Sequence, residues 1–265
     1  MKVPAAITPV ELKAQMAASL PPLIVDVRRQ PAFAEDSRVI PGAIRRTPET
    51  IDDWAGTLEP WRRVVVYCVH GHEVGRDAAS ALVARGLDAR FLEGGIAGWR
   101  ESGQPALPFR APTRWVTRER PKIDRIACPW LIRRYIDPSA EFFYVPTAEV
   151  SRFGAANTAE PYDIPGVRYS HAGPECSFDA FIRLHRLADP VLAELATIVR
   201  GADTGVPALS PQSPGLVAVS LGLSQMFDDD ATMLKWGMLV YDSLFAWLSK
   251  ARAERHGWEP EKLRA

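Results

Sequence analysis

At 265 residues, 47% of them hydrophobic and with zero formal net charge, the chain has the make-up of a globular protein of one large domain or two ordinary ones. The balanced charge gives no global electrostatic case for nucleic acid or an anionic membrane as partner, and three cysteines at 68, 128 and 176 make no disulfide framework. Glu11 and Lys13 interrupt the apolar residues near the start, and no window approaches the ~18 apolar residues of a membrane helix. The expectation is a cytoplasmic protein with reduced thiols.

Along the chain, Thr8-Pro9-Val10-Glu11 carries a capping-box pattern with proline at the first helical position, so a helix starts at Pro9. Leu23 to Val27 reads as a buried strand, and Val39 to Ile44 as a turn leading into a second short strand. Val64 to Tyr67 is the strongest strand signal, followed by a helix-like segment, Val74 to Arg85, with Gly86 at its C-cap. Ala89 to Leu92 gives another strand, then Gly94-Gly95 and a short helix from Ile96 to Glu101. Strands alternating with helices predict a parallel α/β sheet. From Gly103 the prolines at 105, 108 and 112 break regular structure, and five basic residues follow between Arg110 and Lys122. Residues 109–120 are therefore expected as a linker between units spanning 1–108 and 121–265. The second unit reads as mainly α-helical. Cys128-Pro129 opens one helix to about Ile136, Ser177 or Asp179 caps another through Leu187, and Asp189-Pro190 starts a third through Arg200. A long helix follows Asp228-Asp229-Asp230, with Leu234, Met238, Tyr241, Phe245 and Leu248 on one face.

The chemistry concentrates in the loop after Val64–Tyr67. Cys68 ends the strand, Gly71 lets the backbone curl, and a helix begins a few residues later. The thiol is thereby placed under the backbone N–H groups of Val69, His70, Gly71, His72, Glu73 and Val74, an environment that favours a thiolate and an anion beside it. His70 and His72 add hydrogen bonds or partial positive charge. Glu73 in the same loop repels an anionic partner. A cysteine-phosphatase loop needs a guanidinium six positions after the cysteine, where this chain has Val74.

Residues 5 to about 107 resemble a rhodanese domain. The resemblance rests on Asp26-Val27-Arg28, Ile40-Pro41-Gly42-Ala43, the loop Cys68 to Glu73, and Leu92-Glu93-Gly94-Gly95-Ile96-Ala97-Gly98-Trp99. It implies a sulfurtransferase in which Cys68 takes sulfane sulfur from a donor, thiosulfate or a persulfide, as its own persulfide and passes it to a nucleophilic acceptor, with no cofactor required. Glu73 in the loop favours a protein persulfide or a small thiol over thiosulfate. Asp26 and Arg28 are read as a scaffold ion pair.

Residues 121 to about 258 resemble the C-terminal domain of ChrB-type chromate-resistance proteins. The matching segments are Pro121 to Arg134, Ser170 to Phe178 and Ile198 to Asp203. The resemblance links the protein to chromate or oxidative stress, with an oxyanion such as chromate as an expected partner. In this half His171 and Cys176, separated by four residues that contain a Gly-Pro turn, are candidate transition-metal ligands, with Asp124 and Asp203 as carboxylate partners. His185, in mid-helix, is read as a surface or core histidine rather than a ligand. A reading from a different class makes the protein a non-catalytic sensor that binds an oxyanion or metal.

Overall fold

A computed structural model describes residues 4–18 and 20–254. The N-terminal unit contains, in chain order, β1 (Ala5–Ile7), α1 (Pro9–Met16), β2 (Leu23–Asp26), α2 (Gln30–Glu35), β3 (Arg38–Val39), β4 (Ile44–Arg45), α3 (Ile51–Ala55), β5 (Val64–Tyr67), α4 (Glu73–Ala84), β6 (Ala89–Leu92), α5 (Gly95–Glu101) and β7 (Leu107–Pro108). Five parallel strands form one sheet in the order β1-β6-β5-β2-β4, while β3 and β7 pair antiparallel beside it. The sheet is buried on both faces, as parallel sheets are. Leu23, Val25, Val64 and Val66 pack with Leu82 on one side, and Ile24, Val65 and Tyr67 pack with Leu92 and Trp99 on the other.

Local signals act as the sequence predicts. Thr8 Oγ1 accepts from the Glu11 N–H at 3.2 Å and Glu11 Oε2 accepts from the Thr8 N–H at 2.9 Å, closing the capping box. Asp26 and Arg28 form a buried pair at 2.5 Å, and Arg28 also donates to the carbonyls of Asp36 and Arg38. That pair pins the chain between β2 and β3, which is a scaffold role.

The second unit contains β8 (Arg114–Arg118), α6 (Asp124–Leu131), β9 (Glu141–Val145), α7 (Val150–Asn157), β10 (Glu160–Pro161), α8 (Ser177–His185), α9 (Pro190–Asp203), α10 (Ser213–Met226) and α11 (Asp230–Ala246). Its helices surround Trp130, Phe178, Phe181, Met238 and Tyr241. Two expectations change here. The stretch 109–120, read as a linker, supplies β8, the central strand of a parallel sheet ordered β10-β8-β9. Trp115, Val116 and Thr117 are buried in succession, as in a strand covered on both faces, but the arginines at both ends mask it. The first helix begins at Asp124 and runs through Pro129 rather than starting there. Proline has no N–H for the Arg125 carbonyl, and the Tyr162 hydroxyl donates to that carbonyl instead, at 3.3 Å. α6 also crosses α11 closely: a Cβ on Gly237 would stand 2.6 Å from Ile126 Cγ2.

Polar contacts join the units. Trp61 Nε1 donates to Asp242 Oδ2 at 2.9 Å, Arg134 Nη2 donates to Glu59 Oε2 at 2.7 Å, and Lys235 Nζ donates to the Gly56 carbonyl at 2.7 Å. No helix among the described residues is long and apolar enough to cross a membrane.

Candidate functional site

Cys68 follows β5, and the loop after it is shaped by a second loop, Gly94–Gly95, after β6. Cys68 O and Val69 O accept from the N–H groups of Ile96 and Ala97, both at 3.0 Å. The two loops interlock through glycine. Gly71 has φ +70°, and a Cβ there would meet Leu92 O at 2.5 Å and Gly94 N at 2.7 Å. Gly95 has φ +57°, and its Cβ would meet Cys68 O at 2.4 Å. The Gly94-Gly95 pair noted in the sequence is therefore the other wall of the cysteine loop.

None of the N–H groups of Val69 to Val74 finds a protein acceptor among the described residues; the first backbone donor after Cys68 is Arg76, to His72 O at 3.1 Å. These six free donors lie between a strand end and the first turn of α4, the geometry that binds anions. The Cys68 side chain is almost covered, at 6% exposure, and Gly75 leaves room beside it, since a Cβ at that position would come 3.3 Å from Sγ. His70, His72 and Glu73 are exposed at the mouth, with the two imidazole rings 5.9 Å apart.

A second cluster lies in the helical half. His171 Nε2 stands 3.3 Å from Asp124 Oδ2, 3.3 Å from Asp163 Oδ1 and 3.1 Å from Asp203 Oδ2. Four separate segments meet here: the start of α6, the turn after β10, the loop before α8 and the end of α9. Two of them are held in strained conformations. Ile123, just before Asp124, has φ +44°, unusual for a β-branched residue, and Asp163 has φ +54°. The Tyr241 hydroxyl donates to Ile123 O at 2.6 Å and braces the first of these. Asp163 is also matched by Arg118 at 2.7 Å and Arg125 at 3.4 Å. Asp124 and Asp203 then share a single imidazole. Burial, reinforced by the neighbouring carboxylates, raises both carboxyls above their ordinary range, while hydrogen bonding to Asp124 pushes His171 up to about 9.

The ChrB, C-terminal domain profile matches residues 115–248, and the Rhodanese-like domain profile matches residues 8–102. The chain belongs to the ChrB C-terminal domain family. It is 32% identical over 152 residues to protein ChrB of Cupriavidus metallidurans, covering 55% of this chain and 45% of that protein. The chain thus spans less than half the length of this curated relative. Among solved structures, a rhodanese-like domain protein from Staphylococcus aureus is 30% identical, covers 40% of this chain and 99% of that one, and superposes with a TM-score of 0.36. A rhodanese-related protein from Thermoplasma volcanium is 26% identical, covers 39% and 97%, and gives a TM-score of 0.35. A rhodanese-like domain joined to a ChrB domain makes this a chromate-resistance family protein.

Within the ChrB domain, the residues expected to gather around a metal gather only in part. Asp124, Asp203 and His171 meet. Cys176 does not join them: it caps α8, where its N–H donates to Asp179 Oδ2 at 3.0 Å and its fully buried thiol lies 3.5 Å from the same oxygen. Burial drives that thiol well above its ordinary range, which disfavours the thiolate a metal requires. Asp163, unremarked in the sequence, takes its place. The donor atoms of Asp124, Asp163 and His171 lie within 4.8 Å of one another. Its only signal is the turn composition of Asp163-Ile164-Pro165-Gly166, which marks a bend without saying what it faces. His185 is a packing residue, stacked on Phe181 and within 3.1 Å of the Tyr169 hydroxyl.

Proposed function

We propose that the protein is a rhodanese-type sulfurtransferase with Cys68 as its sulfur carrier. The observation that supports this best is the set of six unpaired N–H groups, Val69 to Val74, at the mouth of a loop that begins at the thiol. In the first step the Cys68 thiolate attacks the sulfane sulfur of a donor. With thiosulfate, the S–S bond of the donor breaks, sulfite leaves with the bonding electron pair, and Cys68 becomes a persulfide anion. In the second step an acceptor thiolate attacks the outer sulfur, takes it as its own persulfide and regenerates the Cys68 thiolate. Both intermediates carry their negative charge near the sulfur, where oriented N–H dipoles stabilise it without reorganisation. Glu73 at the mouth disfavours a dianionic donor, so a persulfide on a protein or small thiol is the better substrate class. Mass spectrometry after exposure to thiosulfate or a low-molecular-weight persulfide tests the reading. One added sulfur on the Cys68 peptide, absent in Cys68→Ser, is expected; an unmodified wild-type peptide with every donor overturns it.

A second reading, favoured by the Asp124–Asp163–His171 geometry, gives the ChrB domain a divalent metal ion. Asp124 and Asp203 share one imidazole with Asp163, so oxygen donors from three segments converge on a single nitrogen. Oxygen donors with one nitrogen suit manganese, iron or zinc better than a thiophilic ion. Elemental analysis of protein purified without chelator tests it: one equivalent of metal, lost in His171→Ala, is expected, and metal-free wild-type protein refutes it.

A further inference from the structure

Where the two units meet, four guanidinium groups surround one cavity. Arg46 follows β4, Arg62 precedes β5, and Arg133 and Arg134 come from the turn that ends α6; together with Glu59 and Glu141 they line a space of about 150 Å³. The local charge is not balanced. Glu59 is shared between Arg62 at 3.2 Å and Arg134 at 2.7 Å, and Asp242 also pairs with Arg134 at 2.7 Å. Glu141 is held by Arg114 at 3.0 Å. Arg46 and Arg133 have no carboxylate within ion-pair distance among the described residues. Arg46 donates to the Arg45 carbonyl at 2.9 Å, and Arg133 makes only long contacts of 3.4 and 3.3 Å to the Ala140 carbonyl.

Two of the four are almost fully buried and incompletely bonded. The side chains of Arg62 and Arg134 are 8% and 6% exposed. Arg62 Nε and Arg134 Nη1 are sealed from solvent and have no hydrogen-bond partner. Buried guanidinium N–H groups are ordinarily satisfied, and a buried excess of positive charge is retained only where something compensates it. Burial lowers Arg46, Arg62 and Arg133 below the ordinary guanidinium range, because nearby carboxylates do not offset the loss of water. At ~30 Å³ per water, the cavity has room for about five waters, enough for an anion with four oxygens.

We infer that this cavity is a binding site for a small tetrahedral oxyanion, held between the rhodanese-like unit and the ChrB domain by Arg46, Arg62, Arg133 and Arg134. Arginine suits the task because its planar fork donates two parallel hydrogen bonds to such an ion. The site is separate from the cysteine loop. Leu23 and Arg62 mark the N-terminal end of the sheet, whereas Cys68 stands at the C-terminal end of β5, so this inference holds or fails independently of sulfur transfer. Since both units supply arginines, the bound ion would also tie them together.

Sulfate, hydrogen phosphate and chromate share the required shape and charge, and equilibrium dialysis at fixed ionic strength distinguishes them. Wild-type protein is dialysed against labelled sulfate, with phosphate, chromate and chloride as competitors. Saturable binding of one equivalent, displaced by at least one other oxyanion but not by chloride, is expected. The best competitor identifies the preferred ion. Arg133→Gln and Arg46→Gln should each weaken binding by about tenfold or more, and Arg46→Lys should recover part of the loss, because it restores charge without the fork. Should Arg133→Gln fail to fold, the half-buried Arg46 pair of variants decides alone. Absence of saturable binding by all three oxyanions, or glutamine variants that bind like wild type, overturns the inference.

Discussion

Asp242 offers the strictest test of how the two units are joined. Its side chain is 4% exposed, and the carboxylate accepts four hydrogen bonds. Oδ1 accepts from Trp130 Nε1 at 2.8 Å and Arg134 Nε at 3.0 Å, and Oδ2 accepts from Trp61 Nε1 at 2.9 Å and Arg134 Nη2 at 2.7 Å. Replacing it with alanine leaves Arg134 with Glu59 alone, which Arg62 already shares. Breaking a buried ion pair costs about 3–5 kcal/mol, and an unsatisfied indole N–H about 1–3 kcal/mol, although coupled terms do not add in full. Trp130 is fully buried and loses its partner outright, whereas half-buried Trp61 can turn to water. Asp242→Ala is therefore expected to lose about 4 kcal/mol, a large part of the stability of an ordinary domain. Asp242→Asn should do little better, since either orientation of the amide points its NH₂ at two donors. Urea unfolding followed by tryptophan fluorescence reads both the loss and any splitting into two transitions. The pH dependence has a definite sign. Burial would raise the Asp242 pKa, but Arg134 and the two indoles prevail and hold it below its ordinary range. The contribution is thus complete above about pH 4, the unfolded value, and fades as pH falls through the lower folded value. The gap between wild type and Asp242→Ala should narrow in strong acid. Variants within about 1 kcal/mol of wild type at neutral pH, or a gap that widens on acidification, would refute this account.

Three further outcomes follow from the sites. Cys68→Ser should abolish sulfur loading while leaving the unfolding free energy within about 1 kcal/mol, because a serine hydroxyl fits where the thiol sits; loading retained in the variant would move the carrier elsewhere. Gly95→Ala forces a left-handed backbone on alanine and drives its Cβ to 2.4 Å from Cys68 O. The expected cost is roughly 2–5 kcal/mol together with slowed sulfur loading, and a variant that loads at the wild-type rate would mean the loop packing is dispensable. In metal-free protein, NMR titration should place His171 at about 9, since hydrogen bonding to Asp124 raises it. The raised value stabilises the fold fully below about pH 6.5, and that stabilisation is lost as pH rises through 9; a titration near 6.5 would show that the carboxylates do not engage it.

The first half of the chain was legible because its signals are local. Thr8 and Glu11 close a capping box within one turn, Val64–Tyr67 is buried on both faces, and Gly86 accepts a positive φ of 85° just after α4. Even the cysteine loop follows from neighbouring residues, although its second wall comes from Gly95, twenty-seven positions away in the chain. The second half was legible in its helices and not in its sheet. β8 carries arginine at both ends and lies among prolines, so its composition resembles a linker, and only pairing with β9 and β10 identifies it as a central strand. The metal-competent cluster repeats the pattern. His171 and Cys176 are close in sequence, which suggested a shared site, but the turn between them places the thiol at a helix cap in the core.

Two polar centres, one within the ChrB domain and one at its junction with the rhodanese-like unit, concentrate charges of opposite sign. Around His171 the chain gathers three carboxylates onto one imidazole, with Arg118 and Arg125 both on Asp163, and holds them with strained backbone at Ile123 and Asp163. At the junction it gathers four arginines, of which Arg62 and Arg134 share Glu59 while Arg46 and Arg133 have no carboxylate partner among the described residues. A fold selected for stability alone would replace either arrangement with apolar packing at little loss or even some gain. The strained backbone around the converging donors at one centre, and the arginines without carboxylate partners at the other, are the physical reason to look for a cation at the first and an anion at the second.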